Sequence, residues 1–181
     1  MMVDFIFIGG SPGSGKTTVS ELIQQDKQWP LIDFGCLRVF HLDKQWSNQS
    51  ELEEQMSFEN LIFILKNYHR YSYKNVMVND LRDERLEQLS KYLSHDQYRY
   101  LIITLVVSDD NLLKQRVLGP RDSGFRNFER AIECNRNIRQ RSLCVHEHKL
   151  DNTNHTPRQT ADQVLQIIDD FCLRNISDYH K

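Results

Sequence analysis

The four cysteines of this chain, Cys36, Cys134, Cys144 and Cys172, include no CxxC pair. That removes the common zinc-ribbon and dithiol spacings and leaves buried reduced thiols as the expectation. Apolar runs are only a few residues long, too short for a membrane span. The opening MMVDFIFIGG has no basic segment and no cleavage site. No signal peptide is therefore expected, and a cytoplasmic location is. Positive charge is not in excess: 23 Lys and Arg against 25 Asp and Glu give a net charge of -2. Global attraction to nucleic acid or anionic lipid is excluded, so any anion site must come from local clustering. Proline and glycine are sparse, at 4 and 7 of 181 residues, with no internal repeat and no low-complexity linker. With 39% hydrophobic and 27% charged residues, the composition is that of one ordered domain spanning residues 1–181.

Strand-length apolar runs alternate with segments of helical period, the signal for βαβ units and a parallel sheet. VDFIFI at 3–8, LIDF at 31–34, NVMVND at 75–80, YLIITLVV at 100–107 and a weaker HKLD at 148–151 read as strands. Between them, Val19, Leu22 and Ile23 mark one helix, and Leu52, Met56, Leu61, Ile62 and Leu65 mark a second, opened by a Ser50/Glu53 capping box. Leu86, Leu89 and Leu93 mark a third. Ser108 is the expected cap of a helix ending near Gly119, and another runs from about Phe125 to Leu143. Thr156 and Pro157 open a final helix with its stripe at Ala161, Val164, Leu165, Ile168, Phe171 and Cys172.

GSPGSGKT, Gly10 to Thr17, fits GxxxxGK[ST], follows a predicted strand and opens a predicted helix. In such a Walker A loop the backbone N–H groups of Gly10, Ser11, Pro12's neighbours, Gly13, Ser14 and Gly15 curl toward a phosphate chain. Lys16 neutralises the β and γ oxygens, Thr17 offers a hydroxyl to Mg²⁺, and Thr18 completes the loop's junction with the helix. ATP and Mg²⁺ are the expected cofactors.

GGSPGSGKTT and the strand pattern resemble the P-loop kinases of the nucleoside-monophosphate kinase and shikimate kinase group. The resemblance spans nearly the whole chain. It implies a P-loop α/β fold: a five-stranded parallel sheet with helices on both faces, an acceptor-binding region at 34–74, and an arginine-rich lid at 116–141. It also implies that Asp33 in LIDFGCLR corresponds to the group's aspartate at the end of the second strand, and that Arg38 is similar to its acceptor-binding arginine. The chain departs from the group in two respects. Shikimate and gluconate kinases carry a second carboxylate where this chain has Gly35, and the GDxxR of adenylate kinases is one residue longer than GCLR. The acceptor is thus a small molecule that the sequence does not name. Asp80 resembles the carboxylate that holds the magnesium shell, and could equally cap the helix beginning at Leu81. Asp33 has three open roles: to take the acceptor's proton, to hold a water of the Mg²⁺ shell, or to cap the turn at Phe34 and Gly35.

Eight basic residues lie between Lys114 and Arg141. Arginine suits a transferring phosphoryl group because its fork bonds two oxygens and stays charged. The lid resemblance puts Arg116 against the adenine and Arg121 on the transferred phosphate. On a 100° wheel Phe125, Phe128, Ile132 and Leu143 share one face; Arg139 falls among them, Arg136 lies at the edge, and Arg126, Arg130 and Arg141 point away. A buried arginine needs an anionic partner, so Arg139 is selected with Arg121. Asp109 and Asp110 read as helix-start carboxylates. His146 and His148 lack a third ligand and read as surface residues. Phe34, Phe40, Trp46, Phe58 and Phe63 read mainly as core.

The leading function is therefore an ATP-dependent phosphotransferase acting on a nucleotide, nucleoside, sugar or related metabolite. A nucleotide switch is the alternative, since HKLD nearly matches NKxD, but His148 replaces the asparagine and no DxxG occurs. A regulatory P-loop protein without turnover is a third, argued from Gly35. Action on nucleic acid is not expected at a pI near 6.4.

Overall fold

β-branched and aromatic runs pack well on a pleated surface that is covered on both sides, and all five such runs are strands. The computed structural model describes residues 2–39, 50–94, 98–120 and 124–177. In chain order these form β1 (Phe5–Gly10), α1 (Lys16–Lys27), β2 (Leu31–Asp33), α2 (Phe34–Arg38), α3 (Glu51–Arg70), β3 (Val76–Asn79), α4 (Asp83–Leu93), β4 (Tyr100–Val106), α5 (Asp110–Leu118), α6 (Phe128–Gln140), β5 (Glu147–Asp151) and α7 (Pro157–Ser177). The strands form one sheet in the order β2-β3-β1-β4-β5. All pairs are parallel, with Phe5 opposite both Val76 and Tyr100.

β1 is the central strand. The crossover from β1 runs to β2 on one side of it and the crossover from β3 runs past it to β4 on the other, so the strand order reverses at β1 and opens a crevice outside its carboxyl end. On one face Ile6, Ile8, Met77, Leu101, Ile103 and Leu105 pack with Val19 and Ile23 of α1 and Ala161, Val164 and Ile168 of α7. On the other, Phe5, Phe7, Val78 and Ile102 meet Phe58, Leu61 and Leu65 of α3 and Leu86, Leu89 and Leu93 of α4. A smaller cluster of Val107, Leu113, Val117 and Ala131 joins α5 to α6. Among the described residues no helix is long and apolar enough to cross a membrane.

Several local expectations need correction. Asp109, not Ser108, caps α5: its carboxylate accepts from the N–H groups of Asn111 and Leu112, while the Ser108 hydroxyl donates to Asp151. α6 is shorter than the 125–143 reading, because Asn127 caps it by accepting from Arg130 N at 2.9 Å and it ends at Gln140. A five-residue helix, α2, follows β2 directly. The Ser50/Glu53 box and the Thr156 cap form as the sequence suggests, the latter with Gln159 N donating to Thr156 Oγ1. In α3, however, the buried face is Glu54, Ser57, Phe58, Leu61, Ile62 and Leu65, while Leu52 is 80% exposed and Phe63, expected in the core, is 74% exposed. Phe34 and Phe58 are core residues; Phe40 and Trp46 lie outside the described residues. Of the thiols, Cys172 is buried but Cys36 is exposed.

Candidate active site

The phosphate loop occupies the crevice at the carboxyl end of β1. Gly10 and Gly13 have φ of 135° and 85°, a region L side chains rarely adopt. At Gly13 a Cβ would also lie 2.7 Å from Val117 Cγ2, so the loop lies directly against α5. Gly15 is the N-cap of α1 and Lys16 its first residue. The N–H groups of the first turn thus face the crevice, where helix ends favour anions. Lys16 Nζ donates to Ser11 O at 3.2 Å, holding the ammonium over the loop. The hydroxyls of Ser11 and Ser14 are buried without a hydrogen-bond partner, the state expected of donors in a cradle for phosphate oxygens. Thr17 and Thr18 are exposed on the first turn.

Next to the loop lies a charged cluster centred on Gly35. Asp33 ends β2 and caps α2, its Oδ1 accepting from Gly35 N at 2.7 Å. A Cβ on residue 35 would sit 2.9 Å from Asp33 Oδ1, 3.3 Å from Asp80 Oδ2 and 3.8 Å from Arg38 Nη2. All three side chains therefore converge on the space that a glycine leaves. Asp80 does not cap a helix, since α4 starts only at Asp83 with Arg82 at its N-cap. Instead Asp80, in left-handed backbone with φ of 57°, accepts from Arg38 Nη2 at 3.0 Å. Strained backbone of this kind concentrates at functional sites. Arg38 also stacks on Phe34 and lies 3.9 Å from Glu54 of α3, which Arg82 approaches at 3.4 Å. Burial pushes the Asp33 carboxyl above its ordinary value, with Asp80 adding to the rise, against the Gly35 N–H, Arg38 and Lys16. A half-buried carboxylate of raised affinity for protons, within the field of a lysine, is suited to proton transfer.

Asp33, Asp80 and the Thr17 hydroxyl in the first turn of α1 are hard oxygen donors, the kind that Mg²⁺ takes. Among the described residues no group of three or more His, Cys, Asp or Glu is close enough to hold a metal unaided. That is ordinary for a cation carried largely by its nucleotide.

No protein-family model and no curated protein matches the chain. Solved structures do. A sugar kinase from Janibacter sp. HTCC2649 superposes with a TM-score of 0.66 at 12% identity, over 91% of this chain and 94% of that one. A gluconokinase from Sinorhizobium meliloti 1021 gives 0.62 at 14% identity, over 93% and 95%. Thymidylate kinase from Candida albicans gives 0.58 at 17%, over 93% and 92%. The fold is that of the P-loop kinases.

Within this P-loop kinase fold the arginines of 116–141 are unequal, though not as the wheel orders them. Arg116 is half-buried on α5 and donates to Asn152 Oδ1 at 3.0 Å and Asn152 O at 3.2 Å; burial lowers its proton affinity, with Asp151 opposing. Asn152 Nδ2 in turn donates to Ser14 O at 2.8 Å, so Arg116 is tied to the phosphate loop through one side chain. Sequence reasoning missed Asn152; its signal is its place immediately after β5, at the same sheet edge as the loop. Arg121 lies outside the described residues. Arg139 is exposed, against expectation, and donates to Ser108 O at 3.3 Å beside the end of β4. The buried stripe of α6 is Ala131, Asn135 and Ile138, and Asn135 bonds both the N–H and the C=O of Val107. Arg136 pairs with Asp110, and Arg126 and Arg130 are exposed.

The second missed element is Arg141. The wheel has it pointing away, but the helix ends before it and the chain turns inward. Its guanidinium bonds both oxygens of Asp83 at 2.6 and 2.7 Å and both oxygens of Glu147 at 2.7 and 2.8 Å. Glu147, wholly buried, also accepts from Thr104 Oγ1 at 2.5 Å and Cys144 N at 2.6 Å. Burial alone would raise Glu147, but the bonds from Arg141, Thr104 and Cys144 hold it down at about 2. Burial and the same carboxylate push the Cys144 thiol up to about 11. Thr104 pairs with Gly9 in the sheet, so this hub lies directly behind the strand that carries the loop.

Proposed function

We propose that the chain is an ATP-dependent kinase that moves the γ-phosphoryl group to a small acceptor bound beside Asp33 and Arg38. The observation that carries this reading is the convergence of Asp33, Asp80 and Arg38 on Gly35, next to a fully formed phosphate loop at one sheet edge. Kinases recurring among structures of this fold support it. The triphosphate lies along Gly10 to Thr18, with Lys16 neutralising charge that grows during transfer. Arg116 flanks the base, and Thr17 and Asp80 would hold Mg²⁺, which would supply charge neutralisation at the phosphates. Asp33 accepts the proton of the attacking acceptor group, and Arg38 orients that acceptor. Arg121 and Arg139 approach the transferred group from the lid.

The regulatory alternative drew on the missing second carboxylate at position 35. Asp80 Oδ2 lies 3.3 Å from where a Cβ at 35 would be, so a second carboxylate reaches that space from β3, and this favours turnover. The test has two arms: the melting temperature with ATP, GTP and Mg²⁺, and ADP release over nucleoside monophosphates, nucleosides, sugars and sugar acids. ATP stabilisation with ADP release on one acceptor class bears the proposal out. Stabilisation without release on any acceptor class overturns it in favour of the regulatory reading.

A further inference from the structure

α3 is twenty residues long and uses one face for the core. Its outer face carries a second stripe, Leu52, Met56, Glu59, Phe63, Lys66 and Arg70, spaced 4-3-4-3-4. That is the spacing of a helix-pairing seam, distinct from the broader stripe of a helix packed on its own core. Leu52, Met56 and Phe63 are 80%, 45% and 74% exposed, so the apolar members of the seam meet solvent. Glu59 and Arg70 are exposed beside them and Lys66 is half-buried. Arg70 lies over the ring of Tyr71, itself 66% exposed, which extends the patch past the end of the helix.

Charge along the seam selects the occupant. The amino-terminal half of α3 is acidic, with Glu51, Glu53 and Glu59, and the carboxyl-terminal half is basic, with Lys66 and Arg70. Positions 59 and 66, and 56 and 70, are symmetric about residue 63 to within one residue. An antiparallel copy therefore sets Phe63 against Phe63, Glu59 against Lys66 and Met56 against the stem of Arg70. The central charges thus meet their opposites and Phe63 and Met56 meet apolar surface, while Leu52 and the acidic residues beside it fall opposite positions past the end of α3. A parallel copy, an anionic membrane or a peptide of one charge would meet like charge along half the helix.

We infer that the chain forms a two-fold symmetric homodimer through the outer seam of α3, centred on Phe63. The seam is independent of the reaction assigned above. Its experiment is sedimentation equilibrium of the full chain across micromolar concentrations, with circular dichroism and melting as controls for folding. The wild type should show twice the 21.5 kDa chain mass. Phe63→Asp should weaken association by about thirtyfold or more while the spectrum stays unchanged, because a central anchor is lost and the core is untouched. Glu59→Lys and Lys66→Glu should each weaken self-association, since each sets like charges opposite one another. An equimolar mixture of the two should recover it, because both contacts of the mixed pair are then opposite in sign. A wild type of single-chain mass at all concentrations overturns the inference and leaves the stripe to a different protein. A dimer indifferent to Phe63→Asp, or no recovery in the mixture, overturns it as well.

Discussion

Two arginines in this protein each face two carboxylates, and they are held very differently. Arg141 uses both forks at 2.6–2.8 Å on Asp83 and Glu147, with Glu147 further bonded by Thr104 and Cys144. Arg38 bonds Asp80 at 3.0 Å and approaches Glu54 at 3.9 Å. The first set is closed and saturated, and its buried carboxylate is held at about 2. The second set has a neighbouring carboxylate, Asp33, whose proton affinity is raised. Saturated geometry fixes α4, the end of α6 and β5 behind the loop. A half-buried carboxylate of raised proton affinity beside an arginine is suited to proton transfer, as the saturated carboxylate of the hub is not.

Substitutions can separate the two regions. The largest effect is expected at the loop: Lys16→Ala should abolish stabilisation by Mg²⁺-ATP and lower turnover by about 10²–10³-fold. Its melting temperature without nucleotide should match wild type. Next, Glu147→Gln should cost about 3 kcal/mol, because a buried arginine loses part of its counter-charge. In a chain of this size that is a fall of roughly 6–12 °C in Tm, read by scanning calorimetry.

The same hub predicts a pH dependence. The fold holds Glu147 at about 2 against an ordinary glutamate's 4.5, so its contribution is full above about pH 4.5 and is lost as pH falls toward 2. Urea melts from pH 6 to pH 3 should show that slope in wild type and a shallower one in Glu147→Gln.

Asp33→Asn reverses the pattern. The amide still caps α2, and removing an ionised carboxylate that burial disfavours should leave Tm at or slightly above wild type. Turnover should fall by roughly a hundredfold. Full turnover with an unchanged Tm would make Asp33 a structural cap and leave Asp80 as the candidate carboxylate. The smallest effects belong to the lid: Arg139→Ala should slow ADP release by about tenfold and Arg126→Ala by less than about twofold. Equal effects would remove Arg139 from the site.

What the sequence made legible follows from locality. The loop, its helix and its strand are contiguous, so Gly10 to Thr17 could be read directly, as could strands bounded by turn residues. Asp33 and Asp80 were visible as strand ends in a parallel sheet. The Arg141 hub was not visible, because Asp83, Thr104, Arg141 and Glu147 come from four separate segments and only the sheet register brings them together. Arg141 and Arg139 were misplaced for one shared reason. A helical wheel has no meaning beyond Gln140, and the stripe was phased on Phe125 and Leu143, which lie outside the helix, instead of on Ala131 and Ile138. Leu52 and Phe63 were read as inward because composition records that a residue is apolar and not which of two stripes it occupies.

The placement of β1 also bears on how the protein is made. Of the five strands of this sheet, the earliest in the chain is the middle one, and its register partners are residues 76–79 and 100–105. With translation at roughly 5–20 residues per second, β1 waits of order 5–20 s for β4. Through that interval FIFIGG is an unpaired apolar strand with both edges open, the kind of segment chaperones hold. The phosphate loop, whose glycines pack on Leu105 and Val117, cannot take its shape before residue 117 has emerged. Nucleotide binding should therefore report completion of the sheet, appearing late and in one step during refolding, and never in fragments that stop short of α5.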